Sequence, residues 1–243
     1  RAVPPSSSSP SACNVDAAPD PLAGTNWSAP ATVRGFAASE PNAVLMRFAE
    51  GEAGRGAVRA LDIGCGAGRN AVPLALGGWS VFGVDLSWPM LRAASKRADA
   101  AGASERATWM LAPMEALPVA DRSVHFVIAH GIWNLAPSDE VFRRAVAEAA
   151  RVARPGAGLF VFTFSRETLP RRVAPVRGQE YIFTKFSGRP QCFLTRDQLR
   201  DEMARVGFDR DPSVPWTEYN RRPGALPGGG PPVIHEAAFR RRA

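Results

Sequence analysis

Cysteine is scarce in this sequence of 243 residues, where Cys13, Cys65 and Cys192 stand far apart. With no CxxC pair and no even framework, disulfides and zinc are both poorly supported, and a reducing cytoplasm is the expected compartment. Lysine is scarcer still: of the 30 basic residues only Lys96 and Lys185 are lysines. The net charge of +7 therefore rests on scattered arginines, with short clusters such as Arg171-Arg172, Arg221-Arg222 and Arg240-Arg241-Arg242. Phosphate-binding surfaces concentrate positive charge in a patch or stripe, so this dispersal argues against a nucleic-acid partner. Nowhere do about eighteen apolar residues run together, and no membrane span is expected. The opening RAVPPSSSSPSACN has no apolar core of a secretory signal.

What is present fits one α/β domain. A hydrophobic share of 45% is ordinary for a globular chain. Residues 1–25 form a Pro/Ser-rich tail with too little apolar surface to offset the entropy of ordering, so they are expected to be disordered, and residues 26–243 the folded domain. Apolar Val44, Leu45 and Phe48 sit at helical spacing between Pro41 and Glu50, with the following GEAGRG read as a stop. Strand and helix patterns then alternate. Strands are expected at Ala57–Ile63, Ser80–Asp85, Ala107–Leu111, Val124–His130 and Gly158–Phe164, and helices at Asn70–Leu76, Pro89–Ala101 and Asp139–Ala153. This alternation predicts a Rossmann-like, doubly wound α/β sheet, mostly parallel. Arg166–Leu194 is irregular and rich in Arg, Pro and aromatics; a helix follows from Thr195 to Val206. Two last runs, Ser213–Tyr219 and Val233–Phe239, flank the loop RRPGALPGGGPP and are expected to pair antiparallel at the C-terminal edge.

Ala60-Leu61-Asp62-Ile63-Gly64-Cys65-Gly66-Ala67-Gly68-Arg69-Asn70 passes from a buried strand through a Gly-rich turn into a helix. Such a turn at the carboxyl end of the first strand is where doubly wound sheets bind nucleotides. The spacing is GxGxG after an acidic residue, and not the GxGxxG of a pyrophosphate site. Val84-Asp85-Leu86 ends the next strand, where a carboxylate can accept hydrogen bonds from both hydroxyls of a ribose.

These motifs resemble class I S-adenosylmethionine-dependent methyltransferases, and within them the small-molecule group that includes the tellurite-resistance enzymes, which also carry GRN after the turn. The resemblance covers about residues 27–239. It implies S-adenosyl-L-methionine as cofactor, S-adenosyl-L-homocysteine as product, and a small-molecule substrate. On this pattern Asp62, Gly64, Gly66, Gly68 and Asn70 hold the amino-acid end of the cofactor, Asp85 its ribose and Leu86 its adenine, with Met114 and Glu115 at the adenine edge. The class normally has an Asp before that pair, and Pro113 stands here instead. His130 ends the fourth strand beneath the transferred methyl, where it can accept a substrate proton or simply line the pocket.

Methyl transfer is a direct displacement at carbon, so alignment is the protein's main task and no catalytic base is obligatory. No carboxylate cluster resembles a magnesium site, and no metal is expected. Substrate walls are expected from Trp27, Phe36, Trp133 and Asn134, and from the covering segment at about 166–194. For Trp27, Phe183 and Phe186 core coverage is an equal reading. Arg69 meets an anionic group or makes a surface salt bridge. Transfer to O, N or S of a small molecule leads; an RNA or protein methyltransferase and a non-catalytic cofactor-binding protein remain as alternatives. Oligomeric state is not written in these motifs.

Overall fold

A computed structural model describes residues 19–221 and 231–243. Cys13, most of the tail and nine residues of the Pro/Gly loop lie outside them. The strands are β1 (Arg59–Ile63), β2 (Ser80–Asp85), β3 (Ala107–Leu111), β4 (Val124–His130), β5 (Ala153–Phe164), β6 (Ile182–Phe183), β7 (Gln191–Cys192), β8 (Phe208–Asp211), β9 (Thr217–Tyr219) and β10 (Ile234–Arg241). The helices are α1 (Pro30–Ala37), α2 (Ala43–Gly54), α3 (Ala71–Leu76), α4 (Trp88–Ala101), α5 (Asp139–Val152) and α6 (Arg196–Arg205).

The main sheet runs β3-β2-β1-β4-β5-β10-β8, with β9 also on β10. β3, β2, β1, β4 and β5 pair in parallel, while β10 is antiparallel to β5, β8 and β9. Strand order reverses between β1 and β4, which opens a crevice at their carboxyl ends. Alternation along β4 explains the two layers. Val127 and Ala129 face a core completed by Phe142, Val146 and Leu199, whereas Phe126 and Ile128 face one completed by Leu45, Phe48 and Leu74.

Local chemistry sets the helix ends. Asn42 caps α2 by accepting from Val44 N and Leu45 N, Ser87 caps α4, Ser138 caps α5, and Thr195 with Gln198 forms a capping box on α6. On α5, Phe142, Ala145, Val146, Ala149 and Ala150 are buried, a helical stripe facing the sheet.

Several boundaries differ from the sequence expectation. α2 continues through GEAG to Gly54 because Glu52 is buried as the partner of Arg240, and that tertiary contact outweighs the low helix propensity of glycine. β5 starts at Ala153, which pairs with Val124, so Arg154-Pro155-Gly156 lies inside a strand and does not merely stop a helix. Of Ser213–Tyr219 only β9 forms: Pro215 has no N–H to give, and Asp211 turns the chain by accepting from Ser213 N at 2.9 Å. β8, short and charged, and α1 carried no pattern that announced them. Residues 21–24 form a turn, and Asp20 Oδ1 accepts from Trp88 N at 3.2 Å.

Arg240 ties the sheet's far edge to α2. Its guanidinium donates to both oxygens of Glu52, each at 2.6 Å, and its Nε donates to Asp211 Oδ2 at 3.0 Å. Both carboxylates are buried. Arg240→Ala strands two buried negative charges and is expected to lower unfolding free energy by about 3–5 kcal/mol in urea titration. A loss below about 1 kcal/mol would show that water reaches the pair.

Candidate functional site: the Gly turn and the sheet's carboxyl edge

The turn after β1 is built from two main-chain bonds. Gly64 N and Cys65 N both donate to Val84 O, at 2.7 and 3.0 Å, which locks the turn against the end of β2. Gly64 has φ +69°, and a Cβ there would lie 2.7 Å from the Ile132 side chain, so glycine is required by both backbone and space. Gly68, φ +74°, lets the start of α3 pack close to α4: a Cβ would meet Val72 at 2.8 Å and Ala94 at 3.2 Å.

This lock brings Asp85 beside the turn. Asp85 Oδ2 accepts from Gly66 N and Oδ1 from Ser87 N, both at 2.9 Å. A carboxylate offers about four acceptor positions, so two remain open. Asp62, 2% exposed, sits beneath the turn with its Oδ2 buried and unpartnered. Burial first, and then the Asp85 charge, push its pKa up to about 8. Burial also raises Asp85. A buried, unpaired carboxylate oxygen calls for a cationic donor, and an α-ammonium group supplies one.

The remaining expected residues separate into groups. Asn70 is buried, and its Oδ1 accepts from Asn42 N at 3.1 Å, joining the starts of α2 and α3. Leu86, Met114 and Glu115 are half-buried at the ends of β2 and β3. Phe36 lies on the turn, with Cδ1 3.5 Å from where a Gly66 Cβ would stand, and Trp27 meets it edge-on at 6.0 Å. Arg69 makes neither an ion pair across the surface nor a contact with an anion among the described residues; its Nε donates to the Glu40 carbonyl. Trp133 is a correction. It is fully buried, edge-on to Phe142 at 6.2 Å, because the turn after β4 folds it inward beneath the site. Asn134 is also buried but keeps an unpartnered Oδ1. In the covering segment Phe183 and Phe193 form a small core of their own, and Phe186 lies 40% exposed against Phe164 and Phe193.

Three residues missed by the sequence reading complete the edge. Asn42, Glu236 and Tyr219 converge on His130: Asn42 Nδ2 reaches His130 Nε2 at 3.3 Å and Glu236 Oε2 at 2.8 Å, and Tyr219 Oη donates to Glu236 Oε1 at 2.7 Å. His130 stacks on Phe162 at 4.2 Å, with the rings 5° from parallel. Register explains the meeting, since Phe162 pairs with His130 on one side and Glu236 on the other. A charged residue amid the apolar Val233–Phe239 run was the available signal.

A profile of the methyltransferase domain family matches residues 60–156. The ubiquinone/menaquinone biosynthesis C-methyltransferase UbiE of Acidiphilium cryptum is 31% identical over 167 residues, 62% of this chain and 66% of that protein. UbiE of Geotalea daltonii is 30% identical over 173 residues, covering 62% of this chain and 70% of its own length. The chain belongs to the class I S-adenosylmethionine-dependent methyltransferases. A methyltransferase structure from Methanosarcina mazei shares the fold, with a TM-score of 0.58 at 20% identity, over 76% of this chain and 92% of that one. As such a methyltransferase the protein uses S-adenosylmethionine, and the unpaired Asp62 oxygen and the open positions on Asp85 fit its ammonium and ribose.

The raised Asp62 pKa makes a signed prediction. Folding favours the protonated acid, so its contribution is complete below about pH 4 and is lost as pH rises through about 8. Asp62→Asn is expected to flatten the fall in Tm of the cofactor-free protein across that window; an unchanged slope would place the titrating group elsewhere. Cofactor binding at neutral pH is expected to release protons, read by calorimetry in buffers of different ionisation enthalpy.

Proposed function

We propose that this methyltransferase acts on a planar, electron-rich small molecule of the quinol type. The observation that carries the reading is the stacked His130–Phe162 pair beside Tyr219, set at the sheet's carboxyl edge next to the Gly turn. Flat aromatic walls recognise a flat ring by stacking. The UbiE relatives are named as quinone-biosynthesis C-methyltransferases, which adds ring carbon to the O, N and S acceptors suggested by the sequence. Among the described residues no helix is long and apolar enough to cross a membrane.

When bound, the cofactor supplies an electrophilic methyl group on a sulfonium. The protein's own part is positional. Asp62 would hold the ammonium, Asp85 the ribose hydroxyls, and Leu86 with Met114 and Glu115 the adenine. Phe36 on α1, with Trp27 in the short turn before it, covers the Gly turn and excludes water. Many arginines that give the chain its basic charge are tied up internally: Arg143 to Glu202, Arg151 to Glu148 and Asp121, Arg240 to Glu52 and Asp211, Arg242 to Asp209. This supports a small molecule over RNA as the acceptor.

Calorimetry with S-adenosylmethionine tests the binding half, and no heat at millimolar cofactor would sink it. Asp85→Ala is expected to weaken binding by about 1–3 kcal/mol, the worth of a polar contact. Incubation with methyl-labelled cofactor and a panel of quinols, phenols, thiols and amines tests the acceptor class. Label on amines alone would refute the quinol reading.

A further inference from the structure

We propose that Glu236, acting through Asn42, is a positioning residue that holds His130 as a neutral ring protonated at Nδ1, so that the methyl acceptor enters with its nucleophilic electron pair already free. This deepens the methyltransferase reading and rests on it for the meaning of the pocket.

Asn42 makes the tautomer legible. Its Oδ1 accepts from Val44 N and Leu45 N, each at 2.9 Å, as the cap of α2. Those bonds at Oδ1, together with the Glu236 acceptor at Nδ2, set the amide's orientation. One Nδ2 hydrogen goes to Glu236 Oε2 at 2.8 Å, and the other faces His130 Nε2 at 3.3 Å. A ring nitrogen that meets an amide N–H can only accept, so Nε2 carries the lone pair and the proton sits on Nδ1. Reversing the amide would forfeit both cap bonds and set Oδ1 against the Glu236 carboxylate. Glu236 itself, 1% exposed, is engaged at both oxygens, since Oε1 accepts from Tyr219 Oη at 2.7 Å.

The groups around the ring point the same way. From the Gly turn the nearby charge is Arg69; from β10 and β9, Glu236 and Tyr219 reach the ring only through the Asn42 amide; from β5 comes the apolar Phe162. Burial, then the Arg69 charge, lower the His130 pKa to about 4, opposed by its own main chain. An imidazole whose Nε2 is occupied and whose charged form is disfavoured is a poor general base. The matching acceptors are phenolates, enolates and thiolates, or a neutral ring carbon activated by such an oxygen. Any proton such a molecule sheds goes to water and not to His130.

The test is the ring's ¹⁵N signature in the cofactor-free full chain, labelled at its three histidines and assigned with His130→Gln. The expected result is one Nδ1–H tautomer that does not change between about pH 5 and 8. Asn42→Ser keeps a hydroxyl cap on α2 but removes the amide; it is expected to leave His130 with mixed tautomers and about tenfold higher proton affinity. Glu236→Ala, which leaves the second Nδ2 hydrogen without its acceptor and removes a negative group, is expected to give mixed tautomers with no rise in proton affinity, and Glu236→Gln, which keeps an acceptor, to restore the wild-type tautomer. An Nε2–H signal, or imidazolium above about pH 6 in the wild type, overturns the proposal. So does a Glu236→Ala spectrum identical to wild type, which decides the matter even if Asn42→Ser fails to fold. Because cofactor is absent, failure here leaves the calorimetric test of the methyltransferase reading intact.

Discussion

Two amides sharing one carbonyl set up everything that follows. Gly64 N and Cys65 N both donate to Val84 O, and this fork pins the end of β1 to the end of β2. It can form only because Gly64 adopts a left-handed backbone and leaves room for Ile132. Once formed, it places Asp85 within reach of Gly66 N and leaves Asp62 buried below with an unpaired oxygen. A cofactor with a cationic head and a ribose would meet the two carboxylates at the places where they lack partners.

Strain of this electrostatic kind is stored where the ligand relieves it. Burial in the turn raises the proton affinity of both acids, and the Asp85 charge raises that of Asp62 further. The fold carries that cost through contacts far from the site. The Glu52–Arg240–Asp211 cluster anchors α2 to β10 at its lower end, while Asn42 and Glu236 join the same two elements at the upper end. One helix and one antiparallel strand thus frame the acceptor side from bottom to top. The cofactor side depends on β1 and β2, and the acceptor side on the pairing of β10 with β5.

The cofactor half of the site was legible because it is local. Asp62 and Asp85 lie on two consecutive strands and the three glycines in the turn that follows the first, so their spacing implies their geometry. The acceptor half was not. Asn42 and Glu236 are separated by most of the chain, and Tyr219 comes from a third segment. Trp133 illustrates the reverse error: placed near the site by its neighbours in sequence, it is turned into the core by a short turn. The helix expected from Thr195 to Val206 lies within a residue of α6 at each end, because Thr195 caps it. The glycines in GEAGRG misled, because a buried ion pair holds α2 together past them.

By itself, then, the sequence determined the alternation of strands and helices, the parallel sheet and the cofactor, since periodicity and a Gly turn act over a few residues. Tertiary structure decided which side chains stand together at the proposed acceptor side. Strand register set Phe162 between His130 and Glu236, and the helix cap fixed which end of the Asn42 amide the histidine meets. Those relations belong to pairings between distant segments, and no local pattern encodes them.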